Sequence, residues 1–111
     1  MSDTKQDMND KELIKAMAKF MGVDVIESMG RIYQVIGGFG RLPYSTIQSP
    51  AQLNDFIEKV KMDITFNEGI WVATIYTGPT INDLVAISKH QDRTRATLLC
   101  AASFLNVEWI G

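Results

Sequence analysis

The ten residues from Ala96 to Leu105 constrain this chain more than any other stretch. Ala96, Leu98, Leu99, Cys100, Ala101, Ala102, Phe104 and Leu105 leave only Thr97 and Ser103 polar. A helix with no polar face must be covered on every side. With 111 residues, the chain supports one modest core that buries about two-thirds of the unfolded surface. One sheet covers one side of this helix, so the other side needs the first helix or a second subunit. The expectation is a homo-oligomer that uses Leu98, Ala101, Ala102 and Leu105. Trp109 and Ile110 extend that surface, because little chain remains to bury them. Tight helix packing through Ala101 and Ala102 within one chain is the alternative.

The rest of the chain alternates helical and strand signals. Met1 to Asn9 is polar and aperiodic and reads as a loose tail (1–9) ahead of a single domain (10–111). Leu13, Ile14, Met17, Phe20 and Met21 set a first helix from about Asp10 to Met21, stopped by Gly22. Two β-branched runs, Val23–Ile26 and Arg31–Ile36, predict a hairpin, followed by a nine-residue loop, GGFGRLPYS. Ser49, Pro50 and Gln52 then predict a capped helix with a Leu53, Phe56, Ile57, Val60 stripe. Ile64 and Phe66, a turn at Asn67-Glu68-Gly69, and the Ile70–Tyr76 run predict a second hairpin whose later strand is central. Leu84–Ile87 reads as a short strand, and Asp92 caps the last helix. The expected fold class is α/β, an α+β sandwich in which an antiparallel sheet of four to five strands packs with three helices.

Composition narrows function more by exclusion than by assignment. Hydrophobic residues at 46% and charged residues at 22% describe a globular chain, not a disordered or collagen-like one. A formal charge of −2 gives no general attraction to nucleic acid or to an anionic membrane. The single Cys100 allows no intrachain disulfide and no cysteine-based zinc site, and no apolar run resembles a signal peptide or a spanning helix. A cytoplasmic, reducing setting with no cofactor, metal or membrane is the expectation.

Arg93 and Arg95 stand in the first turn of the last helix, where the macrodipole disfavours cations and an anion would resolve the conflict. The opposing possibility is an ion pair with Asp92 or Asp83. Gly38, Phe39 and Gly40, with Arg41 and Tyr44 beside them, offer backbone donors, a charge and stacking faces for a second half of such a site. His90, the one histidine, is a further ligand candidate in an exposed loop, and phosphoester catalysis through it is a remote alternative. Cys100 reads as a buried hydrophobe.

Leu42-Pro43-Tyr44-Ser45-Thr46 ahead of the second helix, the Trp71–Ile75 strand and the Arg93–Leu99 helix start resemble the small phage ABA-sandwich domain proteins. The resemblance spans roughly Lys11 to Leu105, and it implies an Ala-rich C-terminal helix packed with an earlier helix around an antiparallel sheet. It also implies a phage or prophage accessory protein made in a bacterial host cell, a class that often counters host defence. With that context the residues suggest a non-enzymatic protein that sequesters an anionic, nucleotide-type signal molecule. The alternative is an inhibitor that docks on a host defence protein through Trp109 and Ile110.

Overall fold

The computed structural model describes residues 2–37 and 40–109, with side chains from residue 9 onward. Among these residues the order is α1 (Ser2–Met21), β1 (Val25–Ser28), β2 (Arg31–Val35), β3 (Arg41–Pro43), α2 (Pro50–Val60), β4 (Asp63–Asn67), β5 (Ile70–Tyr76), β6 (Leu84–His90) and α3 (Arg93–Leu105). The class is α+β, but the strands form two antiparallel sheets of three, β1-β2-β3 and β4-β5-β6, in place of one sheet of four to five. Alternation marks strands without saying which of them pair, and here α1 keeps the two groups apart. Leu13 and Met17, four residues apart, join α2, α3 and the inner face of β5 and β6. Ile14 and Ala18, one position further round the helix, join Ile32 and Tyr44 in a smaller cluster under the first sheet. One helix therefore serves two cores.

An ion cluster fastens the first sheet to α1. Glu27 on β1 accepts from Lys15 at 2.6 Å and from Lys11 at 3.3 Å. The Lys15 bond foremost, then Lys11, holds the Glu27 carboxyl below its usual value. Because folding lowers this pKa, the contribution is present above the ordinary glutamate value and is lost as the pH falls through the folded one.

Three boundaries move from the sequence expectation, each for a local reason. Helix α1 begins at Ser2, so 2–9 is helical where a loose tail was expected. Nothing between Ser2 and Asp10 is Gly or Pro, so no residue there breaks the helix once the packed turns have nucleated it. The GGFGRLPYS stretch is not one loop, because Arg41, Leu42 and Pro43 pair with Val35, Gln34 and Tyr33. The Ile36 N–H donates to the Gly40 carbonyl at 2.9 Å to close that hairpin. Strand β6 runs through to His90, which pairs with Trp71, so His90 ends a strand and is not a loop residue. β-Branched Val85 and Ile87 start the run, and tertiary pairing carries the more polar Ser88 and Lys89 with them.

Other expectations hold. Ser49 Oγ accepts from the Gln52 N–H at 3.3 Å with Pro50 at the first helical position. The Gln52 side chain does not complete the box, however, and its Oε1 instead accepts from the Ser45 N–H. Strand β5 is central in its sheet, and the two-residue turn Glu68-Gly69 has positive φ at both positions (52° and 83°), as a type I′ hairpin requires. Asp92 Oδ2 accepts from the Arg95 N–H at 2.9 Å at the start of α3.

The apolar helix α3 is covered within one chain, which corrects the oligomer surface proposed for it. Leu98, Ala101 and Ala102 are buried on α3, which packs against β5, β6 and α1 in a core that α2 also enters, and Leu105 packs half-buried on the same cluster. Trp109 is buried as well, and its indole Nε1–H donates to Asp10 Oδ1 at 2.8 Å. Ile110 lies outside the described residues. Small side chains made this possible, because Ala73 and Ala86 on the sheet and Ala96, Ala101 and Ala102 on α3 let the layers approach closely.

The result is flattened, with extents of 43 × 35 × 21 Å. It exposes 7365 Å², against roughly 6,000 Å² for a compact chain of this mass. Each sheet keeps one face in solvent, with Ile26 and Val35 on the first and Ile70, Val85 and Ile87 on the second.

Candidate functional site

The strand registers bring three ring-bearing side chains into one row. Phe66 on β4 pairs with Trp71 on β5, and Trp71 pairs with His90 on β6, so all three project from the same face of the sheet. This is the face that carries the helices, but the row lies at the end where α3 only begins. Trp71 and His90 are half-buried, and Phe66 is 57% exposed. The Phe66 and Trp71 rings meet at 4.8 Å with a 54° tilt. The Arg93 guanidinium lies over Trp71, 5.8 Å from the ring centroid.

This contact answers the electrostatic puzzle at the α3 start without an anion. Asp92 places a carboxylate at the positive end of the helix, and Arg93 gains a cation–π contact. Neither Arg93 nor Arg95 makes an ion pair among the described residues, so the expected alternative of pairing with Asp92 or Asp83 is not what holds them. His90 Nδ1 accepts from the Asp92 N–H at 2.9 Å. In the neutral ring this sets the proton on Nε2, which is left as a donor. The corner therefore presents two stacking rings, one guanidinium, an imidazole N–H and, two residues on, the exposed Arg95.

The second half of the expected site belongs to another part of the molecule. Gly40 and Arg41 sit on the β2–β3 hairpin of the first sheet, and Gly38 and Phe39 lie outside the described residues. Tyr44 is not a stacking face for a ligand. It is buried with Ile14, Ala18 and Ile32, and burial first, then the charge of Asp55, raises its phenol pKa. No hydrogen bond, ion pair or ring contact among the described residues joins this group to Arg93. A cleft of about 390 Å³ beside Tyr44, with Lys11, Arg31 and Ser45 in its wall, and one of about 640 Å³ at Gly78, with Lys61 and Thr80, contain neither Arg93 nor Arg95.

Phe66 and Trp71 were missed as site residues because Trp71 reads as core in a strand apolar on both faces. The signal that finds them is the hairpin register: a two-residue turn at Glu68-Gly69 puts Phe66 opposite Trp71 by counting alone.

Cys100 is inert by position. It is fully buried, and burial pushes its thiol up to about 11 from an ordinary 9.0. Folding thus favours the neutral thiol, a contribution complete below the unfolded value and lost as the pH rises through about 11. A thiol reagent at mildly alkaline pH is expected to modify native Cys100 at least about tenfold more slowly than the denatured chain. Equal rates would show that α3 opens readily.

Among the described residues no three of His, Cys, Asp and Glu gather as metal ligands would, and no helix is long and apolar enough to cross a membrane. Compared with known proteins, the chain matches no protein-family model and no curated protein. The class that can be stated is that of a small α+β domain with two three-stranded antiparallel sheets and a cationic aromatic corner.

Proposed function

We propose that this protein is a non-enzymatic binding protein whose site is the corner formed by Phe66, Trp71, His90 and Arg93, and that its ligand is an anionic, nucleotide-type small molecule. A planar base would lie against the Phe66 and Trp71 rings, with its phosphate toward Arg93, Arg95 and the His90 Nε2–H. The observation that carries this reading is an arginine held over an accessible tryptophan with no carboxylate partner among the described residues. The resemblance to phage accessory proteins supplies the setting, in which sequestering such a molecule would silence a host defence signal. Docking on a host protein through Trp109 is the weaker alternative, because Trp109 is committed to the core.

Melting measured with cyclic dinucleotides, ADP-ribose and inorganic phosphate tests the proposal. A concentration-dependent rise is expected with a base-bearing ligand and a smaller one with phosphate alone. Arg93→Ala should cost about 0.5 to 1 kcal/mol of stability through the lost cation–π contact. It should weaken binding by about 1.5 to 3 kcal/mol through the lost charge-assisted hydrogen bond. No shift with any phosphate-bearing compound, together with unchanged tryptophan emission, would leave Arg93 a structural partner of Trp71 and end the reading.

A further inference from the structure

The geometry points to a second interaction surface, which adjoins the ring-bearing corner at His90: the free edge of β6 pairs antiparallel with β6 of a second copy, joining two three-stranded sheets into one of six. Strand β6 has seven residues, whereas the other sheet edges, β1, β3 and β4, have four, three and five. Among the described residues its only strand partner is β5. Among the described residues the backbone of 85–90 makes no hydrogen bond outside that pairing, so alternate N–H and C=O groups face outward unused. The usual protections of an edge are weak here. No Pro or Gly interrupts Leu84–His90, and the one irregularity, a bulge at Val85, which has no partner on β5, leaves 86–90 regularly paired.

The edge is complementary to itself. A two-fold axis at Ile87 sets Ile87 against Ile87 of the second copy and Val85 against Lys89, so the one lysine of the strand meets no like charge. On the helix side the same axis sets Ala86 against Ser88, two small residues that leave room for α3 above each strand. On the solvent side Val85 and Ile87, 44% and 47% exposed, are covered by the Lys89 stem and the Ile87 of the second copy. An isologous pairing uses both edges at once and leaves no further β6 edge to extend, which favours a closed dimer over a fibre.

Sedimentation equilibrium across a dilution series tests this, with a dimer of twice the 12.4 kDa chain mass expected at the concentrated end. Ile87→Lys and Ile87→Glu should each weaken association by about tenfold or more, because like charges then face each other across the axis. An equal mixture of the two should restore it, a result that misfolded variants could not produce. A wild-type chain that stays monomeric throughout, a dimer indifferent to Ile87→Lys, or an Ile87→Glu chain that associates more tightly alone would overturn the proposal.

Discussion

Phe56→Ala is expected to lower the unfolding free energy by about 3 to 5 kcal/mol, the upper range for a single core truncation. Phe56 is 0% exposed on α2, and it is where the three helices meet. Its ring contacts Phe20 of α1 at 5.6 Å, and Phe20 in turn meets Phe104 of α3 edge-on at 5.4 Å. Removing the ring leaves a cavity under α2 in the core that Leu13, Met17, Ala73 and Ala86 also line, and a close-packed surround relaxes into it only in part. A domain of this size has about 5 to 15 kcal/mol in total, so the variant should sit near the edge of folding at body temperature. Phe20→Ala is the internal comparison. Phe20 is partly in solvent, and its loss should cost about half as much or less. Urea midpoints with unchanged slope decide the order. An equal cost for both would mean that the Phe56 ring is no more enclosed than that of Phe20.

How much of this was legible beforehand follows from which physical quantities are local. The Ser49 cap, the Leu53-Phe56-Val60 stripe, the Glu68-Gly69 turn and the Asp92 cap are decided by residues within four positions of one another, and each was readable. The split into two sheets was not, because it depends on α1 presenting Leu13 and Met17 to one core and Ile14 and Ala18 to another. A single broad apolar stripe and two adjacent narrow ones look alike in sequence. Strand β3 was hidden for a related reason. Glycines and a proline around Arg41-Leu42-Pro43 signal a loop, yet a three-residue edge strand needs only β2 as a template, and Pro43 is tolerated there because an edge position can do without its N–H.

The candidate site divides in the same way. Arg93 and His90 come together because both flank the short β6–α3 connection, a proximity that counting along the chain already contains. The Gly38–Tyr44 group was joined to them on chemistry alone, and chemistry carries no distance. Tyr44 shows the cost of that step. A tyrosine beside glycines resembles a ligand's stacking face, but Ile14, Ala18 and Ile32 claim its ring first, since burying an aromatic side chain returns more than leaving it for a ligand that is not always bound.

Trp109→Ala should also be costly, by about 3 kcal/mol or more, whereas a surface residue would cost at most about 0.5 kcal/mol. Two residues follow Trp109 in the sequence, but burial needs a wall, not more chain. The backbone turns at Asn106, with φ of 58°, after the end of α3, and the indole reaches Asp10 on α1. There Nε1–H donates to Asp10 Oδ1 at 2.8 Å across 99 positions, tying the end of the chain to α1. Trp109→Phe separates the two contributions. It keeps most of the apolar contact and should lose only the hydrogen bond to the carboxylate, about 1.5 kcal/mol. If Trp109→Ala leaves the urea midpoint unchanged while abolishing capture of a protein partner, then Trp109 is a docking residue after all, and the covered C-terminal helix would need a different wall.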